Sequence, residues 1–228
     1  MTRLGVITGL ASESECLNVI PTERRPTVRC AGANSARAQA LAGELASEGC
    51  QGLLSFGTAG GLTADQPPGS VIIASRVTAP DGRVFETSKA WLERVQDIVG
   101  SDDGVTIAGM AGAASVGASP ETKTALGLAT NAVAVDMESH AVGAAAQEAG
   151  VPFMIIRAVA DPVDRALPGW VLGNISENGA PRYGAILAGL AVHPWDFPAL
   201  IRLKGDSDRA LRSLRGVAGR LGPLLGLG

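Results

Sequence analysis

Short apolar runs alternate with helical patterns along most of the chain, and this alternation restricts the fold more than any other feature. The runs are rich in β-branched residues and are bounded by Gly, Pro or Asp, as buried strands are. They lie at Leu4 to Thr8, Thr27 to Cys30, Leu53 to Phe56, Ser70 to Val77, Val105 to Met110, Ala132 to Val135 and Phe153 to Val159. Helical patterns lie at Ser35 to Ser47, Ser88 to Val99, Pro120 to Ala129 and Glu138 to Ala149. The alternation predicts an α/β fold whose mostly parallel sheet carries helices on both faces.

Size and composition predict one large domain. With 228 residues, of which 46% are hydrophobic, the chain can fill a substantial core. No repeat or low-complexity linker divides it, but its character changes near residue 194. We therefore expect a domain over residues 1–193 and an amphipathic C-terminal helical extension over residues 194–228.

Charge, hydropathy and cysteine usage exclude several classes of protein. The net charge is −3 and Lys and Arg do not cluster before residue 200, so nucleic acid is excluded as the main partner. No apolar run approaches the roughly 18 to 20 residues that cross a bilayer, and the N-terminus lacks a signal-peptide pattern, so we expect a cytoplasmic protein. The three cysteines and two histidines have no spacing typical of a zinc site. We expect no structural disulfide, metal or other cofactor.

Polar or glycine-rich segments follow four of the predicted strands. These segments are Gly9 to Glu13, Gly57 to Leu62, Asp136 to Glu138, and Ala160 with Asp161. In α/β sheets, ligands bind at the C-terminal ends of strands, where loops carry polar groups out of the apolar sheet. The four segments are therefore expected to face one cleft.

Each segment also has an ordinary structural explanation. The three glycines between residues 57 and 61 are compatible with a tight strand-to-helix turn, and Asp136 and Glu138 can stabilise a helix N-terminus. Asp161 stands before a proline and can form a turn, although partial burial would raise its pKa toward that of a general acid. Glu13, taken alone, is typical of the first turn of a helix.

The candidate chemistry is that of carboxylates. The sequence has no Gly-x-Ser-x-Gly motif, and neither His140 nor His193 stands beside a nucleophile and an acid in the context that a Ser-His-Asp mechanism requires, which disfavours that mechanism. Cleavage of a C–N or C–O bond at the anomeric carbon of a sugar fits the carboxylates better. Its cationic transition state requires anionic neighbours, an acid at the leaving group and an activated nucleophile.

The same segments occur in the order and approximate spacing of the nucleoside phosphorylase superfamily, and the chain resembles this family over roughly residues 4 to 192. The resemblance is carried by Gly5 to Glu13, Gly57 to Leu62, Val135 to Ser139 and Val151 to Asp161. Methylthioadenosine/S-adenosylhomocysteine nucleosidases are a similar branch. Residues Ala160 to Pro168 and Trp195 to Leu200 resemble the hopanoid-associated phosphorylase branch, which acts on adenosylhopane. The resemblance implies a nucleoside phosphorylase-like fold, a three-layer αβα sandwich with a mixed, mostly parallel sheet.

The resemblance also implies roles for individual residues. Asp161 would protonate the purine at N7, so that adenine leaves as a neutral base. Glu138 would accept hydrogen bonds from the 2′- and 3′-hydroxyls of the ribose, and Glu13 would orient or deprotonate the attacking water. Further substrate contacts are implied for Thr58, Ala59, Gly60, Val116, Gly117, Asp136 and Met137.

Several positions depart from the nucleosidase pattern. Asp136 stands where many nucleosidases have glutamate, and Ala160 precedes the acid where they have a small hydroxyl residue that helps to hold it. The segment that begins at Ser115 lacks the Asp-Ala-Phe pattern that contacts adenine. No Arg or Lys lies between residues 4 and 15, where a phosphorylase has an arginine, although Arg37 is a candidate for a phosphate ligand. This departure favours water over phosphate as the nucleophile.

Two segments leave alternatives open. After residue 194, basic and apolar residues alternate at roughly helical spacing. This pattern fits an amphipathic helix that caps the domain or forms an oligomer interface, and it also fits a segment that lies on an anionic membrane and admits a lipid at the ribose 5′ position. The stretch Arg165 to Asn178 is either a mobile lid or a packed connection.

The function that we expect is that of a purine nucleosidase. It would release adenine from a 5′-substituted adenosine, with adenosylhopane as the expected substrate. The alternatives within the class are a phosphate-dependent phosphorylase and a methylthioadenosine/S-adenosylhomocysteine nucleosidase. The alternative from another class is a non-catalytic nucleoside-binding module. The resemblance also implies a homo-oligomer.

Overall fold

The computed structural model describes residues 2–100, 104–114, 119–165, 188–189 and 192–227. The strands in these ranges are β1 (Leu4–Thr8), β2 (Thr27–Cys30), β3 (Gly52–Gly61), β4 (Val71–Thr78), β5 (Val84–Glu86), β6 (Val105–Gly112), β7 (Ala134–Asp136) and β8 (Phe153–Asp161). The α-helices are α1 (Ala11–Cys16), α2 (Ser35–Ser47), α3 (Lys89–Val99), α4 (Pro120–Thr130), α5 (Ser139–Ala149) and α6 (Phe197–Leu221). Short 3-10 turns lie at Leu17–Val19, Thr22–Arg24 and Pro194–Asp196.

Most predicted elements are confirmed, because their boundaries have local causes. Helix α2 begins after Asn34, whose side chain accepts a hydrogen bond from the Arg37 amide at 2.9 Å. Helix α5 ends at Gly150, which has a left-handed φ of 67°. The strand predicted over Leu53 to Phe56 is longer than expected, since β3 continues through Gly61, and the alternative of a tight turn between residues 57 and 61 is not found. The short strand β5 was not predicted.

The sheet is mixed, as predicted, but it closes on itself. β3 pairs with β8 in parallel, β8 with β4 antiparallel, β4 with β6 and β6 with β7 in parallel, and β7 with β3 antiparallel. β1 and β2 extend the sheet from β3, and β5 extends it from β4. Because the sheet closes in this way, the predicted three-layer sandwich with a mostly parallel sheet is not confirmed.

The length of β3 explains the closure. β1 pairs with β3 only as far as Ser55, while β8 pairs with the opposite edge as far as Gly60. The edge that β1 leaves free then pairs with β7 at Gly60 and Gly61, just after a register shift that follows Ala59. Such irregularities bend a strand and increase its twist. They bring the ends of β3, β7 and β8 together.

Alternate strand residues point to two cores. Leu54 and Met154 belong to a core that includes residues of α3 and α6. Leu53 and Ile155 belong to a second core that includes residues of α2 and α5. Arg157 follows Ile155 by two residues on β8, so the alternation places it on the side of the sheet that carries α5.

Helix α6 packs one face on the first core. Its buried residues are Asp206, Ala210, Leu214, Val217, Ala218 and Leu221. The chain after α6 is also held, because Trp91 Nε1 donates to the Leu225 carbonyl at 2.8 Å and Arg94 Nη2 donates to the Leu227 carbonyl at 2.7 Å. Within the described ranges, no helix combines the length and apolarity that crossing a membrane requires.

Candidate active site

Arg157 of β8 lies at the centre of the site and is 1% exposed. Its Nε lies 2.7 Å from Asp136 Oδ2, and its Nη2 lies 3.2 Å from Glu138 Oε2. Nη2 also donates a hydrogen bond to Ser55 Oγ at 2.6 Å, and Nη1 donates to the Thr58 carbonyl at 3.2 Å. Burial acts to lower the pKa of this guanidinium, but the adjacent carboxylates, above all Asp136, raise it overall. The site therefore contains a permanent buried cation.

The carboxylate of Glu13 accepts four hydrogen bonds. Oε2 accepts from the amides of Gly9 and Leu10 at 2.8 and 2.9 Å, and Oε1 accepts from the amide and hydroxyl of Thr58 at 2.8 and 2.7 Å. The bond from Leu10, the residue before α1, is the ordinary first-turn interaction expected for this glutamate. The bonds from Thr58 also join it to β3. Gly57 permits this approach, since a Cβ there would lie 2.5 Å from Glu13 Oε2.

Glu138 lies immediately before α5 and is buried beside the same arginine. Burial raises its pKa to about 7, and the negative charges of Asp136 and Glu13 act in the same direction, while Arg157 opposes them. A Cβ on Gly9 would lie 2.9 Å from Glu138 Oε1. The main chain at Gly9 therefore lies against both glutamates.

Protein groups already surround the carboxylate of Asp136. Oδ1 accepts a hydrogen bond from the Ser139 amide at 3.1 Å, and Oδ2 is hydrogen-bonded to the Ser139 hydroxyl and paired with Arg157. The same hydroxyl lies 2.9 Å from Ser55 Oγ. Asp136 thus fixes the position of Arg157. Its contact with a substrate stays a prediction.

Asp161 is the last residue of β8 and is buried. Its Oδ2 forms an ion pair with Lys123 Nζ at 2.6 Å. Burial raises the pKa of this carboxyl group, and Lys123 opposes the rise. Both carboxyl oxygens are buried and neither accepts a hydrogen bond of normal geometry from a described residue. Oδ2 has the ion pair with Lys123, whereas Oδ1 has no described partner and is free to interact with a ligand or with the remaining part of the chain.

The structure brings Glu13 and Glu138 together and connects them to Asp161 through the sheet. Thr58, which binds Glu13, lies two residues before Gly60 on β3. Gly60 is paired with Asp161, and a Cβ on Gly60 would lie 3.6 Å from Asp161 Oδ2. Thr58, Ala59 and Gly60 therefore extend from one carboxylate toward the other.

Of the remaining predicted substrate contacts, the structure describes Met137 but not Val116 or Gly117. Met137 lies between Asp136 and Glu138, and its carbonyl accepts a hydrogen bond from Ser35 Oγ at 2.7 Å. Val116 and Gly117, expected to contact the base, lie outside the described residues. Residues 166–178 of the predicted lid also lie outside the described residues.

Two cations that hold the site were missed as functional residues. Arg157 had a signal, because an arginine inside the apolar run Phe153 to Val159 needs buried acidic partners. Lys123 had none, because a lysine among the polar residues of α4 is indistinguishable from a surface lysine. Ser55 and Ser139 are likewise small hydroxyl residues without a distinguishing pattern.

The described side chains offer proton transfer and hydrogen bonding to hydroxyl groups. Burial raises the pKa of Glu138 to about 7 and also raises the pKa of Asp161, and the carboxyl group of Glu13 is held by four hydrogen bonds. Among the residues that the structure describes, no group of three or more His, Cys, Asp or Glu is suited to a metal ion.

Comparison of sequences identifies one family. The model of the phosphorylase superfamily matches residues 19–189, a range that includes β3, Asp136, Glu138, Arg157 and Asp161 but not Glu13. A sequence comparison with curated proteins found no match.

Solved structures share the fold at low sequence identity. The 5′-methylthioadenosine/S-adenosylhomocysteine nucleosidase of Neisseria meningitidis superposes with a TM-score of 0.74 at 17% identity, covering 97% of this chain and 99% of that chain. The S. pneumoniae nucleosidase gives 0.70 at 17% identity, with coverages of 96% and 100%. Futalosine hydrolase of Helicobacter pylori gives 0.67 at 16% identity, with coverages of 94% and 96%. At these identities the likeness shows the fold alone.

Proposed function

This chain belongs to the phosphorylase superfamily, and from that premise we propose that it is a purine nucleosidase. It would hydrolyse the N-glycosidic bond of a 5′-substituted adenosine and release adenine. The solved structures of similar fold support this class, since they are named as nucleosidases and a futalosine hydrolase.

The observation that carries the proposal is the grouping of three buried carboxyl groups with different surroundings. Glu13 is held by four hydrogen-bond donors, and Glu138 is paired with Arg157. Asp161 is paired with Lys123 through Oδ2, while its Oδ1 has no partner among the described residues. Carboxyl groups whose surroundings differ in this way can divide the roles of acid and base.

In the proposed reaction, Asp161 donates a proton to N7 of the purine while the bond between C1′ and N9 breaks. The electron pair of that bond moves into the base, which leaves as neutral adenine. Water attacks C1′ and loses a proton to Glu13, and Glu138 accepts hydrogen bonds from the ribose 2′- and 3′-hydroxyls. The anionic carboxylates stabilise positive charge on the sugar in the transition state. Proton exchange with solvent then restores Asp161 and Glu13.

Water is favoured over phosphate by the charges around Glu13. Phosphate binding requires cations or several unoccupied donors. Arg157 is already engaged by Asp136 and Glu138, and Lys123 is engaged by Asp161. The amides of Gly9, Leu10 and Thr58 are taken by Glu13. Phosphorolysis is the alternative and would need donors from elsewhere.

Adenosylhopane is the substrate that we propose within this class, following the resemblance of the C-terminal third of the chain. Val192, Trp195, Phe197 and Ile201 expose apolar side chains before and at the start of α6, and Arg202 and Lys204 follow directly. Such a segment can rest on an anionic membrane surface. A cytoplasmic enzyme that contacts the membrane in this way would gain access to a lipid at the ribose 5′ position. Methylthioadenosine and S-adenosylhomocysteine are the alternative substrates, and the family resemblance favours a homo-oligomer.

The reaction is tested by chromatography of the products from adenosylhopane, methylthioadenosine and inosine, each with and without phosphate. We expect release of adenine that does not depend on phosphate. Asp161→Asn should lower kcat by about 10²- to 10⁴-fold, the usual contribution of a general acid. Asp97→Asn, on the exposed side of α3, is the matched control and should leave kcat unchanged. Near-wild-type turnover by Asp161→Asn, or release that requires phosphate, would contradict the mechanism.

The membrane contact is tested separately by co-sedimentation with vesicles that contain phosphatidylglycerol. We expect the full-length protein to bind, and the double variant Trp195→Ser, Phe197→Ser to lose binding. Leu128→Ser is the control, because Leu128 is 81% exposed on a different helix, α4. Equal binding by all three proteins would remove the membrane role.

A further inference from the structure

Lys123 is an unusual partner for Asp161. It comes from α4, is 1% exposed, and its Nζ lies 2.6 Å from Asp161 Oδ2. The same nitrogen donates to the carbonyls of Pro162 at 3.0 Å and Arg165 at 2.9 Å. Two of the three N–H groups of the ammonium therefore donate to main-chain carbonyls, and its charge forms an ion pair with the carboxyl oxygen of Asp161.

We propose that Lys123 is a positioning residue, which holds Oδ2 of Asp161 so that Oδ1 is the oxygen that carries the proton to the base. The inference rests on the proposed function for the reaction it serves. It adds a residue that neither the sequence motifs nor the family comparison indicated.

The other described neighbours of Asp161 do not hold its carboxyl group in place. The residue before the acid is Ala160, which has no hydroxyl to hold the carboxyl group. Gly60 on the paired strand has no side chain, and a Cβ built on it would lie 3.6 Å from Oδ2. The sheet therefore lies close to Oδ2 at this point, but Gly60 offers no side-chain donor to it. Oδ1 is buried with no described donor. Lys123 is thus the side chain that fixes the orientation of the carboxyl group among the described residues.

The charged groups that face Asp161 belong to two segments. Lys123 on α4 and Arg165 in the loop after β8 favour the carboxylate, whereas Asp164 in that loop disfavours it. Arg165 is itself paired with Asp206, a buried residue of α6. Helix α6 therefore anchors the loop whose carbonyl oxygens hold the lysine.

The lysine also favours the proton transfer itself. When Asp161 gives its proton to N7, a carboxylate forms 2.6 Å from the ammonium. The attraction between the two charges stabilises this product of the transfer and makes Asp161 a stronger acid. Lys123 gains and loses no proton in the cycle, so the balance of the reaction is unchanged.

The test compares Lys123→Met with Lys123→Arg, with Lys89→Met as the control on the exposed surface of α3, where the side chain is 89% exposed. We expect Lys123→Met to lower kcat by about tenfold to a hundredfold, part of the general-acid contribution. Asp161 must be protonated to act, so activity falls as pH rises through its pKa. Because the lysine lowers that pKa, its removal should move the alkaline limb of kcat/KM to higher pH. Lys123→Arg should keep the limb closer to its wild-type position, and Lys89→Met should change nothing.

Two NMR titrations make the result independent of turnover. In Lys123→Met, the carboxyl carbon of Asp161 should titrate at higher pH than in the wild type. In Lys123→Gln, which tests the pair if Lys123→Met does not fold, the same carbon should also titrate at higher pH than in the wild type. Unchanged titrations or an unchanged alkaline limb of the pH profile would overturn the inference. So would a loss of kcat from Lys123→Met in the Asp161→Asn background that equals its loss in the wild-type background. If the wild type releases no base from any nucleoside, the proposed function fails, while these titrations still decide whether the pair is coupled.

Discussion

Replacing Glu138 with glutamine should make protein stability less sensitive to pH. Glutamine keeps the size of the side chain and can still accept a hydrogen bond from Arg157, but it does not titrate. In the wild type, burial raises the pKa of Glu138 from 4.5 to about 7. The folded protein therefore binds this proton more tightly than the unfolded chain does.

The sign and the size follow from that difference. Between about pH 4.5 and pH 7 the folded state holds more protons than the unfolded state, so the free energy of unfolding of the wild type falls as pH rises. The total loss across this window corresponds to about 3 kcal/mol. Relative to the wild type, Glu138→Gln should therefore gain about 3 kcal/mol between pH 4.5 and pH 8. The buried charge is a stability cost accepted at a functional position.

Urea unfolding followed by circular dichroism at several pH values from 4.5 to 8.5 measures this gain. Glu44→Gln, on the exposed side of α2, is the matched control for a glutamate lost from the surface. A stability difference between Glu138→Gln and the wild type that stays constant with pH would refute the reasoning. So would a difference that favours the wild type more strongly at higher pH.

Two further predictions concern the groups around Glu138. Arg157→Met removes the cation shared by Asp136 and Glu138 and should lower the free energy of unfolding by about 3 to 5 kcal/mol at pH 7.5, measured by urea unfolding; a loss below about 1 kcal/mol would show that the ion pairs contribute little. Gly57→Ala would place a methyl group 2.5 Å from Glu13 Oε2 and 2.7 Å from Arg157 Nη1, and should reduce both kcat and thermal stability. Gly43→Ala, which meets nothing within 4 Å on α2, should instead be neutral or stabilising, and equal effects of the two changes would contradict the close approach at Gly57.

Local sequence signals were sufficient for most helices and strands. Helix α2 has a capping asparagine at Asn34, and α5 has Gly150 at its end, so their boundaries follow from neighbouring residues. The closure of the sheet has no such signal. It depends on β7 pairing with Gly60 and Gly61, on the edge of β3 that β1 leaves free after Ser55. Pairings between distant segments cannot be inferred from the pattern of one strand.

The candidate site was predictable where its residues follow strands. Glu13, Asp136, Glu138 and Asp161 lie at or shortly after strand ends, where ligands bind in α/β sheets. The pairing of β7 with β3 brings Asp136 and Glu138 to the others. Arg157 and Lys123 were not predicted as site residues, because their acidic partners lie on other elements of the fold. Lys123 reaches Asp161 from α4, a contact that only the packing of this helix reveals.

The most direct test of the central claim is a crystal structure with an unreactive adenosine analogue that has a carbon–carbon glycosidic bond and a 5′ substituent. We expect Asp161 Oδ1 within about 3 Å of the N7 position and Glu138 within about 3 Å of both ribose hydroxyls, with Glu13 facing the opposite side of the anomeric carbon. Binding that leaves Asp161 remote from the base, or that places the ribose away from Glu138, would contradict the claim that these carboxyl groups surround one nucleoside.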